Sequence, residues 1–470
     1  MTQDADVAIV GSALAGLVAG AILARHGKRV VILEHADTIG GRGGAVQRND
    51  GWWIDFGHRD GHDVGDCQIV WHHGVEAARE ADVEIALRRV EAPLRLHRFP
   101  EGRVLEGGGW GPEEFMRTAQ DFFECPTDAV DELAAVVARL AGASATERDA
   151  AIPERLGPWC DAHVRHPGAR RALLLMATVI FHPRPEEASV GRLMQFFQNP
   201  KRGPFIPDDD EVGGMQGLME PWARAIRARG GEIALGWKPV EIVVADGRVR
   251  GVVAVDRTNL VREVRAPVVI STYPVWENFA LIDESVFPAA FVAAARELSR
   301  HRADLVGWTA GLRRLPTIRA TGKPEHHAGW NRLLAGPERD YRGGYQITSM
   351  SSRQAAPPGK HLLSLVMARF FLGGTSAGEP WSAARARIDE AVDYLRGFYA
   401  DLDACVEWSS YQYVAAPQTT SWAWAPVRRH GLTVDGIGGL LLAGSTIEAP
   451  AGIVDIGAWA GRAAARAASV

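Results

Sequence analysis

The sequence predicts an α/β fold with two domains, and three observations carry that prediction. Residues 6–34 read DVAIVGSALAGLVAGAILARHGKRVVILE. An apolar run (Val7 to Val10) leads into a tight turn over Gly11, Ser12, Ala13, Leu14, Ala15 and Gly16. A helical stretch with Gly20 follows, then a second apolar run, Val30 to Leu33, closed by Glu34. Near the other end a buried strand, Leu440 to Ala443, stops at Gly444, and Gly452 opens a final small-residue helix. At 470 residues the chain is also too long for one ordinary domain.

Strand, turn, helix and strand together form a unit that grips a dinucleotide. The turn sets backbone N–H groups and a helix N-terminus against a pyrophosphate. Glu34, with His35 beside it, stands where a carboxylate accepts hydrogen bonds from an adenosine ribose. The usual pattern is G-x-G-x-x-G, and Ala13 replaces its middle glycine, so a methyl group tightens the fit there. Asp4 and Asp6 precede the apolar run, where a signal peptide would carry positive charge. The run therefore reads as part of the fold, and the chain is expected in the cytoplasm. A redox enzyme is the expected class.

Bulk composition narrows this further. The formal charge of −5 gives no basis for nucleic-acid binding. Cys67, Cys125, Cys160 and Cys405 lie far apart and lack metal-ligand spacing, so neither a disulfide scaffold nor a zinc site is indicated. Fifteen tryptophans against seven tyrosines suit large apolar cavities and filled cores equally well.

Other segments add to the dinucleotide unit. Gly40, Gly41, Arg42, Gly43 and Gly44 form a backbone-rich loop with one fixed cation, placed to wrap a second part of the same cofactor. GWWIDFG, residues 51–57, reads as a short strand stopping at Asp55 and Gly57. Gly213 and Gly214 open an amphipathic helix. Strands follow it, with a tight turn at Asp246-Gly247. Val264 to Ile270 reads as one further strand, ending at Ser271-Thr272-Tyr273.

These pieces together resemble the phytoene desaturase and flavin amine oxidase superfamily of FAD enzymes. The resemblance covers residues 5–60, 210–275 and 430–468, about a third of the chain. It implies that Gly11 and Gly16 bind the FAD pyrophosphate and that Glu34 binds the adenosine ribose. It matches Gly40, Gly41 and Arg42 to the family's GGR loop and Val240 to its adenine-contacting valine. Ile453 and Val454 are then placed near the pyrimidine edge of the flavin. The family's C-terminal strand ends in Gly-Asp or Gly-Glu, whereas this chain has Gly444-Ser445, a departure that weakens one cofactor contact. NAD alone needs neither the GGR loop nor the C-terminal return strand, so FAD is favoured. No cysteine lies in the C-terminal segment where amine oxidases of this group attach their flavin, so the FAD is expected to be non-covalent.

The expected fold is thus a Rossmann-type FAD-binding domain (residues 1–90, 210–284 and 420–470) and a discontinuous mixed α+β substrate domain (residues 91–209 and 285–419). Residues 90–210 read mostly as helix: Pro112 to Glu124, Asp128 to Leu140, Ala169 to Phe181. Leu362 to Val366 reads as a buried strand and Pro380 to Tyr399 as a helix.

Three groups are candidates for the chemistry. His58, Arg59, His62 and Asp63 follow Gly57, in a segment that leads toward the flavin in the family. His58 or His62 could be a base, and Arg59 could stabilise an anionic flavin or substrate. A solvated loop is the plain alternative. A metal reading of His58, His62, Asp66, Cys67, His72 and His73 finds no standard ligand spacing. The second group is Trp422 and Trp424 with Tyr411 and Tyr413, which would line a substrate channel or simply pack a strand. The third is Tyr273. Amine oxidases of the superfamily commonly place a lysine on a substrate-domain strand, and the comparable segment, Leu305 to Leu315, has none. The leading expectation is FAD-dependent hydride transfer on carbon–carbon bonds of an apolar small molecule: desaturation, saturation or isomerisation. An apolar substrate would favour peripheral membrane contact. The alternatives are an amine or amino-acid oxidase and a non-catalytic flavin-fold binding protein.

Overall fold

Val7–Val10 and Val30–Glu34 are buried along their whole lengths, the pattern of strands covered on both faces. They pair in parallel. Glu232–Leu235 joins beyond Val30–Glu34, while Val268–Ser271 and then Leu440–Leu442 extend the other side. The structure is a computed structural model and describes residues 2–55, 72–89, 94–108, 112–179, 185–198, 205–208, 211–301, 303–334, 342–370, 380–414, 425–449 and 453–469. Among these residues the parallel sheet has five strands, drawn from widely separated parts of the chain.

The helix Leu14–Arg25 is buried from Leu14 to Ala24. Apolar on every side, it has no polar face to turn outward. It sits between the sheet, the helix Gln216–Ala228 and the last helix, Ile453–Ala468. A Cβ at Gly461 would stand 2.3 Å from the Ala15 carbonyl oxygen, so only glycine permits that approach.

A four-stranded sheet flanks this unit, in the order Thr2–Asp4, Val261–Arg265, Arg248–Val255, Lys238–Ala245. Its hairpin turns at Asp246-Gly247, with φ of 53° and 69°. Two residues at positive φ match the twist of antiparallel strands. The single strand expected over Val264 to Ile270 is two strands in two sheets, Val261–Arg265 and Val268–Ser271. Pro267 lies between them and has no N–H to give to a ladder, so the chain crosses from one sheet to the other there.

The second large sheet has seven strands, in the order Val406–Val414, Ala303–Leu312, His361–Phe370, Arg342–Ile347, Asn331–Leu334, Leu94–Arg98, Arg103–Gly108. One face packs on the helix Trp381–Phe398. The helices Pro112–Asp121, Thr127–Gly142 and Pro167–Val179 form where the sequence pattern places them. Residues 94–108 do not follow the mostly helical reading of that region. They are a hairpin that pairs in parallel with Asn331–Leu334. The register sets Arg95 opposite Asn331, 236 residues away, so the partner that makes this a strand is invisible locally.

A buried ionic centre lies on the helix face of this sheet. The fully buried Arg95 donates from Nη1 to Glu325 Oε2 at 2.7 Å, and the Tyr399 hydroxyl donates to the same oxygen at 2.6 Å. Glu325 Oε1 accepts from the His326 and His327 amides at 2.8 and 2.9 Å. Burial pushes the neighbouring His97 down to about 3, so it is neutral.

Candidate cofactor and active site

A cavity of about 520 Å³ opens at the carboxyl ends of the parallel strands, where open α/β sheets bind ligands. Gly11, Ala13, Leu14 and Ala15 line one wall. Gly11 has φ +89°, and a Cβ there would stand 2.4 Å from Thr272 Oγ1. A Cβ at Gly16 would stand 2.3 Å from the Gly11 carbonyl oxygen, so that glycine lets the helix close onto the turn. Ala13 caps the helix without a side-chain hydrogen bond, and the first turn carries no acid. Its N–H groups therefore stay open to an anion. The Ala13 methyl lies 3.3 Å from where a Cβ on Gly41 would be. The glycine loop thus leaves room for the methyl that the turn pattern lacks room for. Gly40 holds the loop to the turn by donating its amide to Ser12 O at 2.9 Å.

Glu34 is 3% exposed and surrounded by donors. Ser12 donates from its amide (2.8 Å) and its hydroxyl (2.7 Å) to Oε2. The Ala36 amide donates to Oε1 at 2.8 Å, and His35 Nδ1 lies 3.0 Å from the same oxygen. Burial pushes the Glu34 carboxyl up. The His35, Ala36 and Ser12 hydrogen bonds outweigh it, so the group titrates below its ordinary value and is ionised. Its hydrogen bond to Glu34 raises His35, against the opposing effect of burial.

Val240 lines the far wall with Lys238 and Pro239. It sits at a bulge, the residue skipped between the ladder pairs of Pro239 and Glu241. A bulge frees one residue's backbone from pairing. Tyr273 faces the cavity beside Gly11 and stands edge-on to His35, ring centres 6.5 Å apart. Burial, then the Glu34 and Glu277 charges, push its phenol well up, so it stays protonated. Gly444 and Ser445 close the site from the C-terminal strand. An acid does follow, Glu448, but both its oxygens accept from Arg192, at 2.6 and 2.8 Å, and it does not line the cavity.

Thus Gly11, Ala13, Leu14, Ala15, Glu34, His35, Gly40, Gly41, Val240, Tyr273, Gly444 and Ser445 meet at one cavity. Ser12 and Gly16 lie just behind its wall, buried. Gly57, His58, Arg59, His62, Trp424 and Gly452 lie outside the described residues, as do the side chains of Arg42, Ile453 and Val454. Tyr411 and Tyr413 are at least one-third exposed on the outermost strand, each edge-on to Trp381. Sequence reasoning missed Met215, Met219, Lys238, Thr272 and Glu277 in the lining. For Met215 and Met219 the Gly213-Gly214 pair was the available signal. A Cβ on Gly214 would strike Asp55 Oδ1 at 2.1 Å, and that oxygen accepts the Met215 amide at 2.8 Å, which fixes the loop.

The uncapped helix end, the glycine cradle and the buried carboxylate fit a dinucleotide. Gly11 to Gly16 would hold its pyrophosphate, and Glu34 and Val240 its adenosine. Gly444 and Ser445 would meet the flavin side.

The comparisons agree. A guinea pig (Cavia porcellus) flavin-containing amine oxidase B is 30% identical over 141 residues, 27% of this chain and 26% of that enzyme. The alignment therefore spans about a quarter of that relative. An oxidoreductase from Methanosarcina mazei has the same fold at a TM-score of 0.70 and 16% identity, covering 98% of this chain and 99% of that one. Cyclohexylamine oxidase from Brevibacterium oxydans superposes at 0.61 with 18% identity, covering 99% of each chain. Residues 14–469 match the family described as flavin containing amine oxidoreductase. The chain belongs to that family, a flavoprotein oxidoreductase with FAD as its cofactor.

Proposed function

We propose that this enzyme acts on carbon–carbon bonds of an apolar small molecule, by desaturation, saturation or isomerisation. The observation that favours this reading over amine oxidation is that the seven-stranded sheet presents uncharged side chains and glycines around Thr309, and no lysine. On the face away from the Trp381–Phe398 helix, Thr309 stands opposite Ser364 on one neighbouring strand and Ser410 on the other. Gln346 stands opposite Ser364. Gly307 and Gly311 flank Thr309 on the same face, and none of the seven strands contains a lysine. The superfamily's amine oxidases commonly use a lysine on such a strand.

The chemistry the cofactor would supply when bound is hydride exchange with the substrate: acceptance for desaturation, donation for saturation once an external electron donor has reduced it, and both in turn for isomerisation. The chain's own part is orientation and proton handling. The glycine cradle would hold the pyrophosphate and Glu34 the adenosine ribose. His58 or His62 would accept the proton beside the hydride step, with Arg59 offsetting negative charge. The FAD is held without a covalent bond: among the described residues Cys125, Cys160 and Cys405 are buried and none lines the cavity. Acid precipitation should leave the flavin in the supernatant, and yellow protein in the pellet would refute this.

Amine oxidation is the second reading, favoured by the amine oxidases among the relatives. Anaerobic mixing separates the two. Saturated apolar substrates should bleach the oxidised flavin, alkenes should be isomerised or should reoxidise chemically reduced flavin, and primary amines should leave the oxidised flavin unchanged. Bleaching by amines alone would replace the first reading with the second.

A further inference from the structure

Glu34 has no acceptor site to spare. A carboxylate offers about four lone-pair positions. Here they meet Ser12 N–H and O–H on Oε2, and Ala36 N–H and His35 Nδ1 on Oε1. A ribose hydroxyl entering the cavity can reach this carboxylate only by displacing one of the four. Two are backbone amides fixed by the turn and by the strand end. The third is the hydroxyl of a fully buried serine, which has no water to turn to. The fourth is His35, whose side chain is 62% exposed and already lines the cavity.

We propose that His35 is a gatekeeper for the cofactor: its ring competes with the adenosine ribose for Glu34 Oε1 and gives up that position when FAD binds.

Proton release accompanies the exchange. The ring is held protonated above its ordinary value by Glu34, and leaving Glu34 lowers it again. Low pH therefore favours the closed gate, and FAD affinity rises with pH above the ordinary histidine value of 6.5. The other groups facing His35 are Glu277, which also raises it, Lys238, which lowers it, and the protonated Tyr273. The inference rests on FAD being the cofactor.

The test titrates FAD into the full-length, flavin-stripped chain and follows flavin fluorescence. From about pH 6 to about pH 8 the wild-type Kd should tighten roughly three- to tenfold. His35→Ala should bind FAD at the lower pH about as tightly as wild type does at the higher one, with no slope between. His35→Gln, neutral at both pH values, should be equally flat and guards against a folding defect in the alanine variant. Weaker binding by both variants at every pH would make His35 a ribose ligand and overturn the proposal. A wild-type slope retained in either folded variant would overturn it too. A wild-type chain that binds no FAD at any pH would instead reject the cofactor itself.

Discussion

Glu34→Ala should weaken FAD binding by about 1.5–3 kcal/mol, the worth of hydrogen bonds to a charged group. It should also destabilise the empty protein. The side chain accepts the Ser12 amide and hydroxyl, both buried, and the Ala36 amide. Each buried donor left unpaired costs about 1–3 kcal/mol. The variant should therefore melt well below wild type with no flavin present. Glu34→Gln keeps one acceptor oxygen for Ser12 and should fall between the two. An FAD titration with an unchanged Kd would place the ribose elsewhere, and an unchanged melting temperature would mean Ser12 finds another acceptor.

Glu325→Ala should be the most damaging change outside the cofactor cavity. Glu325 and Arg95 are both buried, their side chains 1% and 0% exposed. Removing one partner leaves a guanidinium in the sheet–helix interface, with the exposed Glu106, 2.9 Å from its Nη2, as its one remaining carboxylate among the described residues. Breaking a buried pair in this way costs about 3–5 kcal/mol. Arg95→Met with Glu325→Gln together should cost much less, because no buried charge is stranded. Burial pushes Glu325 up, and Arg95 and Tyr399 more than reverse this, so it titrates below its ordinary value of 4.5. The pair's stabilisation is then complete above that value and is lost as pH falls through the depressed one. Thermal melts across the acid range should show this loss in wild type and not in the double variant. A single variant as stable as wild type would mean the seven-stranded sheet and its helix relax enough to hydrate Arg95.

Local pattern made the cofactor unit readable. The runs at Val7–Val10 and Val30–Glu34, the glycines between them and the acid at the end all lie within 29 residues. The Asp246-Gly247 turn was readable for the same reason: two adjacent residue types settle its backbone. Residues whose role depends on a remote partner were not readable. Val264 to Ile270 carries a local sign of its break in Pro267, but nothing in seven residues reports that the two halves join different sheets. Leu94–Arg98 needed Asn331–Leu334 to become a strand. Lys238 and Glu277 are ordinary surface types until the fold brings them to the cavity.

The sequence by itself determined that residues 6–34 form a strand–turn–helix–strand unit of the dinucleotide-binding type ending in Glu34, and that glycine loops and a C-terminal strand belong beside it. These follow from short-range sterics: glycine where backbone must approach backbone, and apolar runs where strands are covered on both faces. Only the tertiary structure decided that every acceptor site of Glu34 is already engaged, that Glu448 turns away to Arg192, and that Arg95 and Glu325 meet in the core. Those outcomes depend on which distant groups arrive at a given point in space. Burial raises the cost of an unpaired polar group wherever they do.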